Sequence, residues 1–142
     1  MSDWTIREGA PPDAAEIARL FVELGHPATV EEVEARFPAF RAAGRTVLVA
    51  EGRDGLLGVL TLGAMWVLHR PKPVGRLSAL VVDGRWRGRG LGRELVRAGE
   101  ARLRAEGCGL VEVTSNNRRG EAHAFYRALG YELTSSRFAK PL

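Results

Sequence analysis

The chain is 142 residues long, 45% apolar and 27% charged. That balance suits a single globular domain, residues 1–142; no apolar run reaches membrane-spanning length, and Met1-Ser2-Asp3-Trp4 lacks the basic-then-apolar pattern of a secretion signal. Cys108 is the only cysteine, which excludes an internal disulfide and points to a cytoplasmic protein.

The net charge of +4 is carried almost wholly by arginine, Lys72 and Lys140 being the only lysines, and it is uneven. Residues 1–75 hold 8 basic and 10 acidic side chains; residues 76–142 hold 13 and 7. A basic half fits a nucleic acid or a polyphosphate cofactor. Here the arginines gather at a glycine turn and do not interleave with aromatics, which favours the cofactor.

In chain order, Trp4 to Arg7 reads as a short strand. Pro11-Pro12-Asp13 opens a helix, with Asp13 expected as its N-cap and Glu16 three residues on. Ile17, Leu20, Phe21 and Leu24 form its apolar stripe, and Gly25 ends it. Thr29-Val30-Glu31-Glu32 is a capping box for a second helix, Val30 to Arg41, with Val33, Phe37 and Phe40 on one face. Thr46 to Glu51 is a strand, Gly52-Arg53-Asp54-Gly55 a hairpin turn, and Leu56 to Trp66 the returning strand. Leu68 to Pro73 holds two prolines and reads as a loop.

The stretch from Leu77 onward organises the rest. Leu77 to Val82 is an apolar strand ended by Asp83-Gly84. Arg87-Gly88-Arg89-Gly90-Leu91-Gly92 follows. Leu91, Leu95, Ala98 and Leu103 then mark a helix that Gly107 stops. Glycines let backbone N–H groups approach a ligand closely. A helix N-terminus adds unpaired N–H groups and partial positive charge. The combination suits a pyrophosphate, and Arg87, Arg89 and Arg93 add full charges. A tight strand-to-helix turn would also use small residues, but three glycines in this context favour phosphate. A P-loop would need Gly-Lys-Ser/Thr, and a dinucleotide fold a further glycine where Arg93 follows Gly92. The G-x-G-x-G turn of methyltransferases follows the first strand of a long alternating sheet, whereas only 50 residues follow Gly92 here.

Downstream, Gly109 to Ser115 reads as a strand, Asn116 to Gly120 as a polar loop, Glu121 to Leu129 as a helix closed by Gly130, and Tyr131 to Lys140 as one or two closing strands. The element order β-α-α-β-β-β-α-β-α-β predicts a mixed sheet with helices on both faces.

Arg87-x-x-Gly90-x-Gly92, after a strand ending Leu80-Val81-Val82-Asp83, resembles the acetyl-CoA signature of the GNAT N-acetyltransferases. Glu112-Val113-Thr114-Ser115-Asn116-Asn117, then Ala122-x-x-Phe125-Tyr126-x-x-x-Gly130-Tyr131, is similar to that family's fifth strand and the helix after it. The resemblance covers essentially the whole chain, with the motifs in the family's order. It implies an α/β fold, in detail an α+β mixed sheet: a single-domain acyl-CoA N-acyltransferase whose central splayed sheet is flanked by helices. The strands Leu77–Val82 and Gly109–Ser115 would start side by side and part, leaving edge groups that the pantetheine amides satisfy.

The same resemblance implies the roles. The backbone of Leu80, Val81 and Val82 would hold the pantetheine arm. Arg87, Gly88, Arg89, Gly90, Leu91, Gly92 and Arg93 would hold the pyrophosphate. Asn117, or Asn116, would hydrogen-bond the arm. Tyr126, a phenol protonated at neutral pH, would meet the thiolate sulfur and donate to it. Many relatives carry a glutamate base on the central strand where this chain has Ser78, beside Arg76. Glu112 is the candidate base instead, resembling the glutamate of ribosomal-protein N-terminal acetyltransferases. Read as residues alone, Tyr126 is also a packed aromatic beside Phe125, Glu112 a carboxylate on a strand's polar face, and the asparagines turn residues. His123 shares a helix face with Tyr126; His26 and His69 lie in loops without metal-ligand spacing. Cys108 reads as a small buried filler.

The implied activity is acetyl-CoA-dependent transfer to a primary amine of a small molecule or peptide, by direct attack in a ternary complex and without a metal. Glu23, Glu31, Glu32 and Glu34 could form a wall for a cationic acceptor, or simply a solvated helix face; Trp66, Phe37 and His69 could shape the pocket. No nucleic-acid or membrane partner is expected, and a homodimer is compatible with the family. The alternative is a GNAT-fold module that binds acyl-CoA without turnover.

Overall fold

A computed structural model describes residues 2–114 and 120–142. The chain forms two compact units, Met1–Glu112 and Val113–Leu142.

The sheet consists of strands β1 (Thr5–Glu8), β2 (Arg45–Gly52), β3 (Gly55–Met65), β4 (Val74–Val82) and β5 (Leu110–Val113), which lie side by side in chain order. β1 to β4 pair antiparallel. The chain passes from β4 to its neighbour β5 through a helix, α3 (Leu91–Ala105), the crossover that a parallel pair requires. The sheet is therefore mixed, as the element order predicts. β2 and β3 read as near-continuous apolar runs, the signature of strands covered on both faces. Val47 to Ala50 and Leu56 to Leu60 are accordingly buried. Gly52 pairs with Gly55 across Arg53-Asp54, so the expected hairpin closes in two residues.

Alternation along the strands sends side chains to two layers. On one face Val47, Val49, Val59 and Val81 meet Ile17 and Leu20 of α1 (Ala14–Leu24) and Val33 and Phe37 of α2 (Val30–Ala42). Ile17 and Leu20 are at most 2% exposed; each such side chain contributes about 1.5–3 kcal/mol. On the other face α3 lies close, because Gly99 presents no side chain: a Cβ there would sit 2.7 Å from Leu60. The capping box of α2 forms as its sequence predicts. The Glu32 N–H donates to Thr29 Oγ1 at 3.1 Å and the Thr29 N–H to Glu32 Oε1 at 3.0 Å.

Three expectations change in the first unit. Asp13 does not cap α1. Its backbone is already helical, in a 3₁₀ turn over Pro11–Asp13, and its carboxylate turns back to the Ala10 N–H and to both Arg7 Nη groups. β4 begins at Val74, three residues before the apolar run, because Val74, Gly75 and Arg76 continue the ladder with Met65, Ala64 and Gly63. Cys108 is only half-buried, with its thiol pushed up by partial burial and by Glu106.

The second unit holds α4 (Gly120–Ala128), closed by Gly130 at φ 92°. The expected strands over Tyr131 to Lys140 are absent: residues 131–142 form neither helix nor strand. Thr134, Ser135 and Ser136 break the apolar alternation there, and Leu133 and Phe138 are 68% and 95% exposed, so no buried face specifies a register. Among the described residues no helix is long and apolar enough to cross a membrane.

Candidate active site

β4 delivers the chain into the glycine–arginine turn along a fixed path. The Asp83 N–H donates to the Leu57 carbonyl at 2.8 Å, extending the ladder past the strand end. A single 3₁₀ turn over Gly84–Trp86 follows, with the Asp83 carboxylate accepting from the Arg85 N–H at 3.0 Å. Gly88 and Gly90 then sit at φ 77° and 85°. A Cβ on either would meet no atom within 4 Å, so backbone conformation, not packing, demands glycine here. Gly90 occupies the N-cap position of α3, and the helical bonding starts with the Glu94 N–H on the Gly90 carbonyl at 3.1 Å. Among the described residues, no N–H from Arg87 to Arg93 has a hydrogen-bond acceptor. A run of such donors at a helix N-terminus is what an anionic group requires.

The arginines differ in what they touch. Arg87 Nε donates to the Val82 carbonyl at 3.4 Å, and its Nη2 lies 4.0 Å from Glu23. The Arg89 guanidinium lies over the Trp86 ring, 4.4 Å from its centroid. Trp86 is in edge contact with Trp4, whose indole N–H donates to Glu94 at 2.6 Å. Residues 86 to 94 are thus tied to the N-terminal segment, a link that the sequence gives no spacing to reveal.

Leu80, Val81 and Val82 pair with Leu60, Val59 and Gly58 through one edge of β4. On the other edge lies β5, four residues long against nine in β4, so much of that edge has no strand beside it among the described residues. Glu112 stands on β5, where Arg76 of β4 donates to it at 3.4 Å. Ser78 is exposed, and its hydroxyl engages Thr61 Oγ1 at 2.7 Å and the Thr61 carbonyl at 3.2 Å. Asn116 and Asn117 lie outside the described residues. In the second unit, Tyr126 packs edge-on against Phe125 and Tyr131, with centroids 5.1 and 5.7 Å away. Burial pushes its phenol above the ordinary value, which keeps it protonated.

Two of the four acidic residues proposed for an acceptor wall are engaged elsewhere. Glu32 is held by Thr29 and by Arg36 at 3.3 Å. Glu23 Oε1 accepts the Gly84 N–H at 2.9 Å. Glu23 belongs to a network that sequence reasoning misses, with Glu16, Arg19 and Asp83. Asp83, read from sequence only as the end of a strand, is 2% exposed. Hydrogen bonds from Arg85, and then from Arg19, hold its carboxyl well below the usual range against the cost of burial.

A sequence model of the acetyltransferase (GNAT) family matches residues 12–131. The chain is 35% identical to the aminoglycoside N(6')-acetyltransferase type 1 of Stenotrophomonas maltophilia, over 92% of this chain and 87% of that one. It is 34% identical to the aminoalkylphosphonate N-acetyltransferase of Salmonella typhimurium, where the match spans 63% of this chain and 59% of the relative. Its fold matches the crystal structure of a Trypanosoma brucei acetyltransferase with a TM-score of 0.86 and 24% identity, over 99% of this chain and all of that one. The chain belongs to the acetyltransferase (GNAT) family, and its class is that of an N-acetyltransferase. Enzymes of this family use acetyl-CoA as cosubstrate.

Proposed function

We propose that this chain moves the acetyl group of acetyl-CoA to a primary amine by direct attack in a ternary complex, as one catalytic domain. The observation that carries the reading is the run of N–H groups from Arg87 to Arg93 that have no acceptor among the described residues, at the start of α3 and beside three arginines. In this reading those groups bind the pyrophosphate, and Arg87, Arg89 and Arg93 neutralise it. The edge of β4 at Leu80 to Val82 receives the pantetheine amides, with Asn117 as a further partner.

The amine nitrogen attacks the thioester carbonyl carbon, the C–S bond breaks, and the sulfur leaves with the bonding pair. Tyr126 gives its phenolic proton to that sulfur; burial keeps the phenol protonated until the thiolate forms. Glu112 takes the proton that the amine loses; Arg76 orients its carboxylate while leaving a second oxygen available. The acceptor belongs to the small-molecule amines. Two relatives are named for amine acceptors, an aminoalkylphosphonate and an aminoglycoside, and the exposed Glu31 and Glu34 suit a cationic one.

The test is release of free thiol from acetyl-CoA in the presence of a panel of primary amines, including aminoglycosides and aminoalkylphosphonates. Amine-dependent release supports the reading. CoA binding without release from any amine contradicts turnover and favours an acyl-CoA-binding module.

A further inference from the structure

One polar stripe of α1 reaches three separate pieces of the first unit. Glu16, Arg19 and Glu23 follow one another at steps of three and four, so they share a face. Glu16 Oε1 accepts the Leu56 N–H at 3.0 Å, at the start of β3. Arg19 Nη2 donates to the Leu56 carbonyl at 2.7 Å, and its Nη1 donates to Asp83 Oδ2 at 3.0 Å, at the end of β4. Glu23 Oε1 accepts the Gly84 N–H at 2.9 Å, at the first residue of the turn. Arg19 is itself held by Glu16 at 3.0 Å. Asp83 is shared between Arg19 and Arg85, and takes the Arg85 N–H as well.

This network fixes the turn on its approach side and leaves its far side open. The N–H groups of Gly84, Arg85 and Trp86 are all engaged, by Glu23, by the Asp83 carboxylate and by the Asp83 carbonyl. From Arg87 to Arg93 the backbone donors are free among the described residues. The division falls where the network stops. Arg87 stands at that division, 4.0 Å from Glu23. A carboxylate on α1 thus sets both the backbone position of Gly84 and the reach of the first arginine that faces the proposed pyrophosphate.

We propose that Glu23, with Arg19 and Asp83 behind it, is a positioning residue for phosphate recognition: it presets the glycine–arginine turn so that the free N–H groups converge before the cosubstrate arrives. Pre-set donors bind without reorganisation, which is where the affinity gain comes from. The inference rests on the proposed use of acetyl-CoA, and it concerns only the phosphate-bearing part of that molecule.

The experiment compares CoA with pantetheine, which has the arm and thiol but no phosphate, by NMR titration of wild type, Glu23→Ala and Glu23→Gln. Glutamine keeps an oxygen for the Gly84 N–H; alanine does not. The expected result is about tenfold weaker CoA binding for Glu23→Ala, pantetheine binding unchanged, and Glu23→Gln within threefold of wild type. Arg19→Lys serves as a second variant and should weaken CoA selectively as well. The proposal is overturned if folded Glu23→Ala binds CoA as wild type does. It is equally overturned if the variant loses CoA and pantetheine in the same proportion, since that marks a general structural role. Wild-type protein that does not bind CoA would overturn the functional reading itself, an outcome visible before any variant is made.

Discussion

The glycine–arginine turn and the acid–base candidates are built in opposite ways. The turn presents backbone. Its donors are N–H groups, its conformation is set by two glycines at positive φ, and its approach is pinned by a carboxylate that is 2% exposed. The candidate chemistry instead rests on side chains. Glu112 is half-buried and paired with Arg76, Ser78 stands exposed on Thr61, and Tyr126 lies in an aromatic cluster of the other unit. A backbone site tolerates little change, because any side chain at Gly88 or Gly90 imposes strain. A side-chain site can exchange its residues more freely, because it demands no special backbone conformation. The turn proposed to hold the cosubstrate is constrained; the candidate acid–base part is adjustable.

That contrast can be broken at several points. The largest effect is expected at Asp83. Asp83→Asn removes a buried charge from between two arginines, and the account predicts a loss of roughly 2–4 kcal/mol at pH 7, read as a drop in Tm of about 10 °C. The pH dependence follows from the sign of the shift. The folded carboxyl is held below its unfolded value, so its contribution is complete above about pH 4 and fades as pH falls toward the folded value. Wild-type Tm should therefore fall steeply on acidification below about pH 4, and Asp83→Asn should lose less over the same range. Parallel curves would refute the assignment.

Next comes the candidate acid. Tyr126→Phe should lower kcat by about 100-fold while leaving CoA affinity within twofold. Full activity in that variant would remove Tyr126 from the mechanism. Gly90→Val tests the backbone half. A β-branched residue at φ 85° should weaken CoA by roughly 30-fold and lower Tm by about 5 °C, through backbone strain and not a clash, since no atom lies within 4 Å of the added Cβ. Unaltered affinity would mean that the turn does not need its left-handed glycine. Glu112→Gln has the smallest expected effect, a fall in kcat/KM of about tenfold that narrows when the amine is supplied above its own pKa. An unchanged pH–rate profile would point to a water relay or to no dedicated base.

Local patterns were the legible part of this chain. The Thr29–Glu32 capping box, the Arg53-Asp54 hairpin, the apolar stripe of α1 and the Gly88-x-Gly90 turn are all specified within a few residues, and each appears where the sequence places it. Asp13 shows the limit of such signals. It satisfies the pattern for an N-cap, yet Arg7, six residues earlier and in the first strand, takes its carboxylate. The polar stripe on α1 was out of reach for the same reason. Glu16, Arg19 and Glu23 look like helix-surface charges until Leu56, Asp83 and Gly84, between 37 and 64 residues away, are brought beside them. Over Tyr131 to Lys140, scattered apolar residues invite a strand assignment, but strand formation depends on a partner edge that local composition cannot supply.

The most direct test of the central claim, that the turn from Arg87 to Arg93 recognises the pyrophosphate of CoA, is isothermal titration of the wild-type chain with CoA and with pantetheine at two salt concentrations. The account predicts micromolar CoA affinity, at least about 100-fold tighter than pantetheine, with the difference shrinking as salt rises. Equal affinity for the two, or no binding of CoA, would contradict it.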